Sequence, residues 1–183
     1  GVVLNAGYAW LLGKVVAMHI QRFIRHLLFS DWQLHRAFTP QSLLAIEQAI
    51  QSSEQQHGGE IRFAVEGGLD GMRLLKGHSS RERALEVFSQ LRVWDTEHNN
   101  GVLIYVLLAD HAVEIVADRG IHVKAGNETW AAICHDMQKA FSSSAFQAGA
   151  LQGIAALAKL IGAYFPVKEA RVNELPDAPV LLT

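Results

Sequence analysis

The chain predicts an α/β fold, a three-layer α/β/α sandwich whose small mixed sheet is a parallel βαβ unit followed by an antiparallel hairpin, with helices on both faces. Three observations carry this. Glu60–Glu66 alternates polar and apolar residues, and Val102–Leu108 is apolar throughout, so both read as strands. Between them lies a helical pattern long enough for a crossover, which makes the two strands parallel and the connection right-handed. Only Ala109, Asp110, His111 and Ala112 then separate Val102–Leu108 from Val113–Asp118, too few for anything but an antiparallel return.

At 183 residues the chain fits one domain with a real core. It is 50% hydrophobic and 19% charged, with net charge -2, which excludes a disordered chain and a strongly basic nucleic-acid binder. The single cysteine, Cys134, can form neither an internal disulfide nor a CxxC metal site, in keeping with a reducing compartment. No signal peptide or membrane-spanning segment is read, so a cytoplasmic location is expected. Three segments follow: residues 1–38 as an N-terminal extension, 39–166 as the α/β domain, and 167–183 as a proline-containing surface arm.

The apolar start, GVVLNAGYAWLLGKVV, contains Lys14 and is too short to span a bilayer. Met18 opens a segment that looks more like a native start than what precedes it. From Ile20, the set Ile20, Phe23, Ile24 and Leu27 follows the i, i+3, i+4, i+7 pattern, with Arg22, Arg25 and His26 off the stripe. This is a basic amphipathic helix; it suits a membrane surface, but packing on its own domain or on a second copy is the commoner use. Thr39-Pro40 starts the next helix, which buries Leu43, Ile46 and Ile50 and runs to about His57. Gly58-Gly59 stops it.

Ile61, Phe63 and Val65 share one face of the first strand, which predicts half-burial. Residues 67–78 form a loop, and Ser79 with Glu82 makes a capping box for a helix carrying Ala84, Val87, Phe88 and Leu91 at core spacing. The apolar second strand is central. After the hairpin, residues 119–127 read as a loop, and Asn127 caps a helix with Trp130, Ile133, Cys134, Met137 and Phe141 on one stripe. Cys134 on that buried face is expected to be inert. The last helix, about Ala145 to Tyr164, is apolar nearly all round and rich in Ala and Gly. Gln152 and Lys159 argue for close packing in a core rather than a bilayer span.

If Leu108 and His111 flank a two-residue turn, Asn99, Asn100 and Gly101 lie opposite Gly120, Arg119 and Asp118. Trp94, Asp95, Glu97 and His98 sit just upstream, and His122 just beyond. Loop residues held by a rigid sheet make a default site. Asp95, Asn99, Asn100 and Asp118 offer oxygens suited to a hard cation, Ca2+ or Mg2+, and no organic cofactor is implied. An EF-hand is rejected, because the glycine is displaced to Gly101 and no carboxylate stands at the twelfth position. Zinc is disfavoured by the lack of any HxxxH or HxH pair. The alternative is structural: Asp and Asn make turns and caps, Arg119 pairs with a carboxylate, and Trp94 closes the core edge.

The opposite end of the sheet gathers Glu66, Asp70, Asp110 and His111 near the helix start at Ser79-Ser80, a fallback site at carboxyl strand ends. There is no GxxxxGK[ST], GxGxxG or GxSxG motif, and GGLDG is not a phosphate-binding signature.

At these residues the chain resembles the TPM-domain family, which includes the plant thylakoid-lumen acid-phosphatase-like protein, photosystem II repair factors and many uncharacterised bacterial proteins. The likeness rests on NNGVLIYVLLADHAVEIVADRGI, then Trp130, Met137, Phe141, Phe146, Gly149, Gly153 and Phe165-Pro166, and covers about Ser42 to Pro166. It implies the same α/β/α sandwich. Some relatives are calcium-binding or acid phosphatases, and others are assembly or repair partners of membrane complexes. The family's acidic-amide-glycine motif falls on Asp95, Asn99, Asn100 and Gly101, and its second motif on Asp118, Arg119 and Gly120. His98 stands where many relatives have Asp, and the signal peptide and C-terminal membrane helix of many members are not seen here.

Two functions are therefore expected to compete. The first is a non-catalytic interaction or assembly module, cation-stabilised at the sheet edge, with a protein or a second copy as partner. The second is a divalent-metal-assisted acid phosphatase-like hydrolase, in which Asp95 and Asp118 hold the cation and Arg119 steadies the phosphate.

Overall fold

A four-stranded mixed sheet in the order β3-β2-β1-β4 organises the chain, in a computed structural model described over residues 6–167 and 173–182. β1 (Glu60–Glu66) and β2 (Gly101–Leu107) are parallel, and β2 and β3 (Ala112–Ala117) are antiparallel. The hairpin register follows the two-residue turn: Val102 faces Ala117, and Leu107 faces Ala112.

The strands are sandwiched as expected. One face carries Ile61, Phe63, Val65, Val102, Ile104 and Val106 against α3 (Pro40–Glu54), α7 (Asn127–Ser142) and α8 (Phe146–Tyr164). On the other, Ala64, Leu103, Tyr105 and Leu107 meet Ala84 and Val87 of α5 (Ser80–Gln90). Thr39 caps α3 by accepting from the Ser42 N–H, and the Ser79/Glu82 capping box closes α5. α8 is long and apolar enough to cross a membrane by length and composition. Here it packs on α3 and α7, with Gly149, Ala150, Gly153, Ile154, Leu157 and Ile161 buried.

Six points need correction. β1 is buried on both faces rather than half-buried, because its polar alternate residues are covered as well. The reason is the C-terminal segment: instead of a surface arm it adds β4 (Val180–Leu182) parallel to β1, and the Ala178 carbonyl accepts from Arg62 Nη1 at 3.2 Å. Residues 168–172 and 183 of that arm lie outside the described residues. The loop read over residues 67–78 holds a short helix, α4 (Gly71–Leu75), capped by Asp70. The loop read after the hairpin is α6 (Arg119–Ala125), started by Asp118 as N-cap, and the cap position of α7 is Gly126 rather than Asn127. Last, a helix not anticipated at all, α2 (Asp31–Ala37), leads Leu34 and Phe38 into the core, where Phe38 stacks 5.9 Å from Phe63 and 5.7 Å from Phe146.

The N-terminal helix α1 (Ala6–Leu27) starts before Ile20 and passes through Met18 unbroken, while residues 1–5 lie outside the described residues. Its docking is the reverse of the expected amphipathic packing. Buried His26 faces the domain, and Ile20, Ile24 and Leu27 face away from it. The Leu69 N–H donates to His26 Nδ1 at 2.9 Å, so Nε2 carries the ring proton and donates to Asp110 Oδ1 at 2.8 Å. Arg22 adds hydrogen bonds to both Asp110 oxygens and to the His78 carbonyl.

Burial pushes the Asp110 carboxyl pKa up, but the hydrogen bonds from His26 and Arg22 prevail and hold it well below the usual carboxylate range. A folded-state pKa below the unfolded one means that the unfolded chain binds more protons, so this contribution is present at neutral pH and lost as pH falls below about 4. Asp110→Asn is therefore expected to lower stability by about 1–3 kcal/mol at pH 7. Urea denaturation of wild type and variant should show that gap closing at acid pH; a gap that persists unchanged would contradict the assignment.

Candidate functional site

The edge where the hairpin opens is built by close backbone approach. The Asp118 N–H donates to the Gly101 carbonyl at 2.9 Å and the Gly120 N–H to the Asn99 carbonyl at 3.1 Å, so the expected register continues past the strands. A Cβ on Gly120 would stand 2.5 Å from the Asn99 carbonyl oxygen, and one on Gly101 would overlap the Val93 carbonyl oxygen. Neither position has room for a side chain. Asn99 turns the chain here with φ 51°.

Asn100 is fully buried. Its N–H donates to Thr96 Oγ1 at 3.1 Å and its side-chain Nδ2 to the Gly58 carbonyl, which ties the edge to the end of α3. Asp118 is 8% exposed, and its Oδ1 accepts from the Arg119 N–H at 2.6 Å. The remaining acceptor of each residue, Asn100 Oδ1 and Asp118 Oδ2, is buried with no hydrogen-bond partner among the described residues. A buried acceptor left without a donor costs about 1–3 kcal/mol, and more when charged.

The other candidates at this edge lie on the surface. Asp95, Glu97, His98, Asn99, Arg119 and His122 are exposed, and Trp94 is half-exposed rather than closing the core. Among the described residues no three His, Cys, Asp or Glu side chains come together to hold a metal, so Asp95, Glu97 and Asp118 do not form a carboxylate cage. Glu174 enters instead, from the C-terminal segment, accepting from the Glu97 N–H at 2.9 Å. Sequence reasoning missed it, since nothing local brings residue 174 to residue 97.

At the opposite end the fallback residues are engaged with neighbours. Glu66 accepts from Arg83 Nε at 2.8 Å and from the Tyr105 hydroxyl at 2.5 Å, all three buried. Asp70 caps α4 and pairs with Arg73. Asp110 is held by Arg22 and His26, as described above. His111 is exposed and has no such partner among the described residues, at φ 53°, on a cleft of about 530 Å³ shared with Phe29, Trp32, Arg36, Phe141 and Phe146. Arg83 and Tyr105 were missed as members of this end. The signal for Arg83 was its place four residues before Val87, on the inner stripe of α5. Cys134 is packed against the core, and burial pushes its thiol pKa up to about 11, with Glu114 adding to the shift. It is not a nucleophile at neutral pH.

Fold and edge together define a small α/β/α sandwich domain that carries its polar cluster where a hairpin opens beside a helix N-terminus. The chain belongs to the TPM domain family, whose model matches residues 34–160. It is similar to the NMR structure of the BA42 protein from the psychrophilic bacterium Bizionia argentinensis, with 30% identity, a TM-score of 0.69, and coverage of 78% of this chain and 94% of that one. The N-terminal domain of a P. gingivalis protein, also solved by NMR, shares the fold at 15% identity and a TM-score of 0.57, over 72% of this chain and 82% of that one. No curated protein matches the chain.

Proposed function

We propose that this TPM domain is an interaction module whose hairpin edge binds a divalent cation, calcium or magnesium, and presents the surrounding surface to a protein partner. The observation that supports it is the pair of buried, unpartnered oxygens, Asn100 Oδ1 and Asp118 Oδ2. They sit on facing segments, since Asp118 pairs with Gly101, next to Asn100. One carboxylate and one amide oxygen are hard donors of the kind calcium takes, together with carbonyls and waters, and do not suit a thiophilic metal. A site with a single buried carboxylate belongs to the weak, millimolar class. The bound ion would neutralise Asp118 and stiffen residues 95–100, and the exposed Trp94, Glu97, His98, Arg119 and His122 around it form the docking surface.

Calcium at tenfold its dissociation constant should stabilise the fold by about 1.4 kcal/mol, a rise of roughly 3–6 °C in Tm by calorimetry. Asp118→Asn keeps a side chain able to cap α6 but removes the charge, and should abolish the rise. No shift with either ion at millimolar concentration removes the cation from the reading. Hydrolysis of a generic phosphomonoester that depends on the metal and is lost in Asp118→Asn would replace this reading with the hydrolase one.

A further inference from the structure

The α1–α2 elbow has an unused apolar surface, and we propose that it docks the domain onto an anionic lipid bilayer. Ile20, Ile24, Leu27 and Leu28 are 54%, 49%, 67% and 71% exposed, and Trp32 at the start of α2 is 66% exposed. Scattered exposed apolar residues are ordinary, but three on one helix with Leu28 just past its end are a patch. Helical geometry places Ile20, Ile24 and Leu27, at i, i+4 and i+7, on the side away from Arg22 and His26, which anchor the helix.

That anchoring fixes the orientation. Arg22 to Asp110 at 2.8 Å and to the His78 carbonyl at 2.7 Å, with His26 held on both ring nitrogens, leave the helix no way to roll its stripe inward without breaking these bonds. A helix that turns polar residues to its own domain and apolar ones to solvent is built to be covered by something else.

Charge selects the cover. Across residues 18–36, Arg22, Arg25 and Arg36 stand against Asp31, a net +2, so the rest of a chain of net charge -2 carries -4. Arg22 is matched by Asp110, which Arg25 also reaches at 3.4 Å from a side chain that stays half-exposed, while Arg36 is exposed and stacked on Trp32 at 5.2 Å. A second copy meeting this face in an isologous dimer would oppose like charges. A basic helix with an apolar stripe and a neighbouring tryptophan matches the headgroup region of an anionic membrane.

The test is flotation of the full chain with vesicles of phosphatidylcholine alone and of phosphatidylcholine mixed with phosphatidylglycerol, over a salt series. Binding to the mixed vesicles is expected, weakening as salt rises and poor with phosphatidylcholine alone. Ile24→Glu should bind about tenfold more weakly or worse, and Arg25→Gln about fivefold more weakly, with the Tm of Ile24→Glu unchanged. No binding to the mixed vesicles at low salt overturns the proposal, and so does undiminished binding by Ile24→Glu. A lipid-free dimer in sedimentation equilibrium that Ile24→Glu abolishes would assign the stripe to a second copy and equally overturn it.

Discussion

Arg83→Met is expected to lower the free energy of unfolding by about 3–5 kcal/mol in urea denaturation at pH 7. Arg83 and Glu66 are both buried, joined through Nε at 2.8 Å and Nη2 at 3.0 Å, and the Tyr105 hydroxyl completes the carboxylate's contacts. Burial lowers the guanidinium pKa, but the hydrogen bonds and charge of Glu66 outweigh it and carry the pKa above the ordinary value. Burial and the same carboxylate push the Tyr105 hydroxyl up, so it remains a neutral donor. Removing Arg83 leaves a carboxylate under the sheet with one donor and no counter-charge. A triple change of Arg83→Met, Glu66→Leu and Tyr105→Phe removes the three buried polar members, leaves the part-exposed Glu86 to solvent and Arg73, and should recover most of the loss, because apolar replacement of a buried pair is often neutral. A loss below about 1 kcal/mol for Arg83→Met alone would mean that water reaches Glu66.

This network shows why one end of the sheet misled the reading of residue types. Glu66, Asp70 and Asp110 cluster at carboxyl strand ends, where open α/β folds bind ligands. What the primary structure does not display is that Arg83, Arg22 and His26 come from helices distant in sequence to engage Glu66 and Asp110, while Asp70 is taken up locally by its cap of α4 and by Arg73. The two ends of the sheet thereby differ. The carboxyl end is filled by internal ion pairs, and the hairpin edge keeps two buried oxygens unmatched.

Legibility followed the range of the interactions. The boundaries of β1, β2 and β3 and the register of the β2–β3 hairpin were readable within a residue, since a two-residue turn and strand alternation are local rules. β4 is three residues long and exists only because β1 offers an open edge far away in sequence, so no local pattern announces it. α6 lacks a full apolar stripe and depends on Asp118 as its cap. For α1 the period was right and the face was wrong. Apolar residues are assumed to point inward, and here Asp110, more than eighty residues away in sequence, determines which side docks.

Gly101→Ala is expected to destabilise the fold by about 3 kcal/mol or more, above the ordinary range for an added methyl. The added Cβ would overlap the Val93 carbonyl oxygen, with the Val93 carbonyl carbon and Cγ1 each 3.0 Å away. Two of these three atoms are backbone and cannot rotate aside, so the 93–100 segment must lift from the start of β2. That segment carries Asn100, and the strand carries the carbonyl to which the Asp118 N–H donates. The same methyl should therefore abolish the calcium-dependent rise in Tm while leaving Asn100 and Asp118 chemically intact. Ala at Gly71, where no atom lies within 4 Å of an added Cβ, is the matched control and should retain both stability and the calcium response. A Gly101→Ala chain that keeps the calcium shift would show that the cation does not depend on the geometry of this edge, and would detach the proposed site from the hairpin.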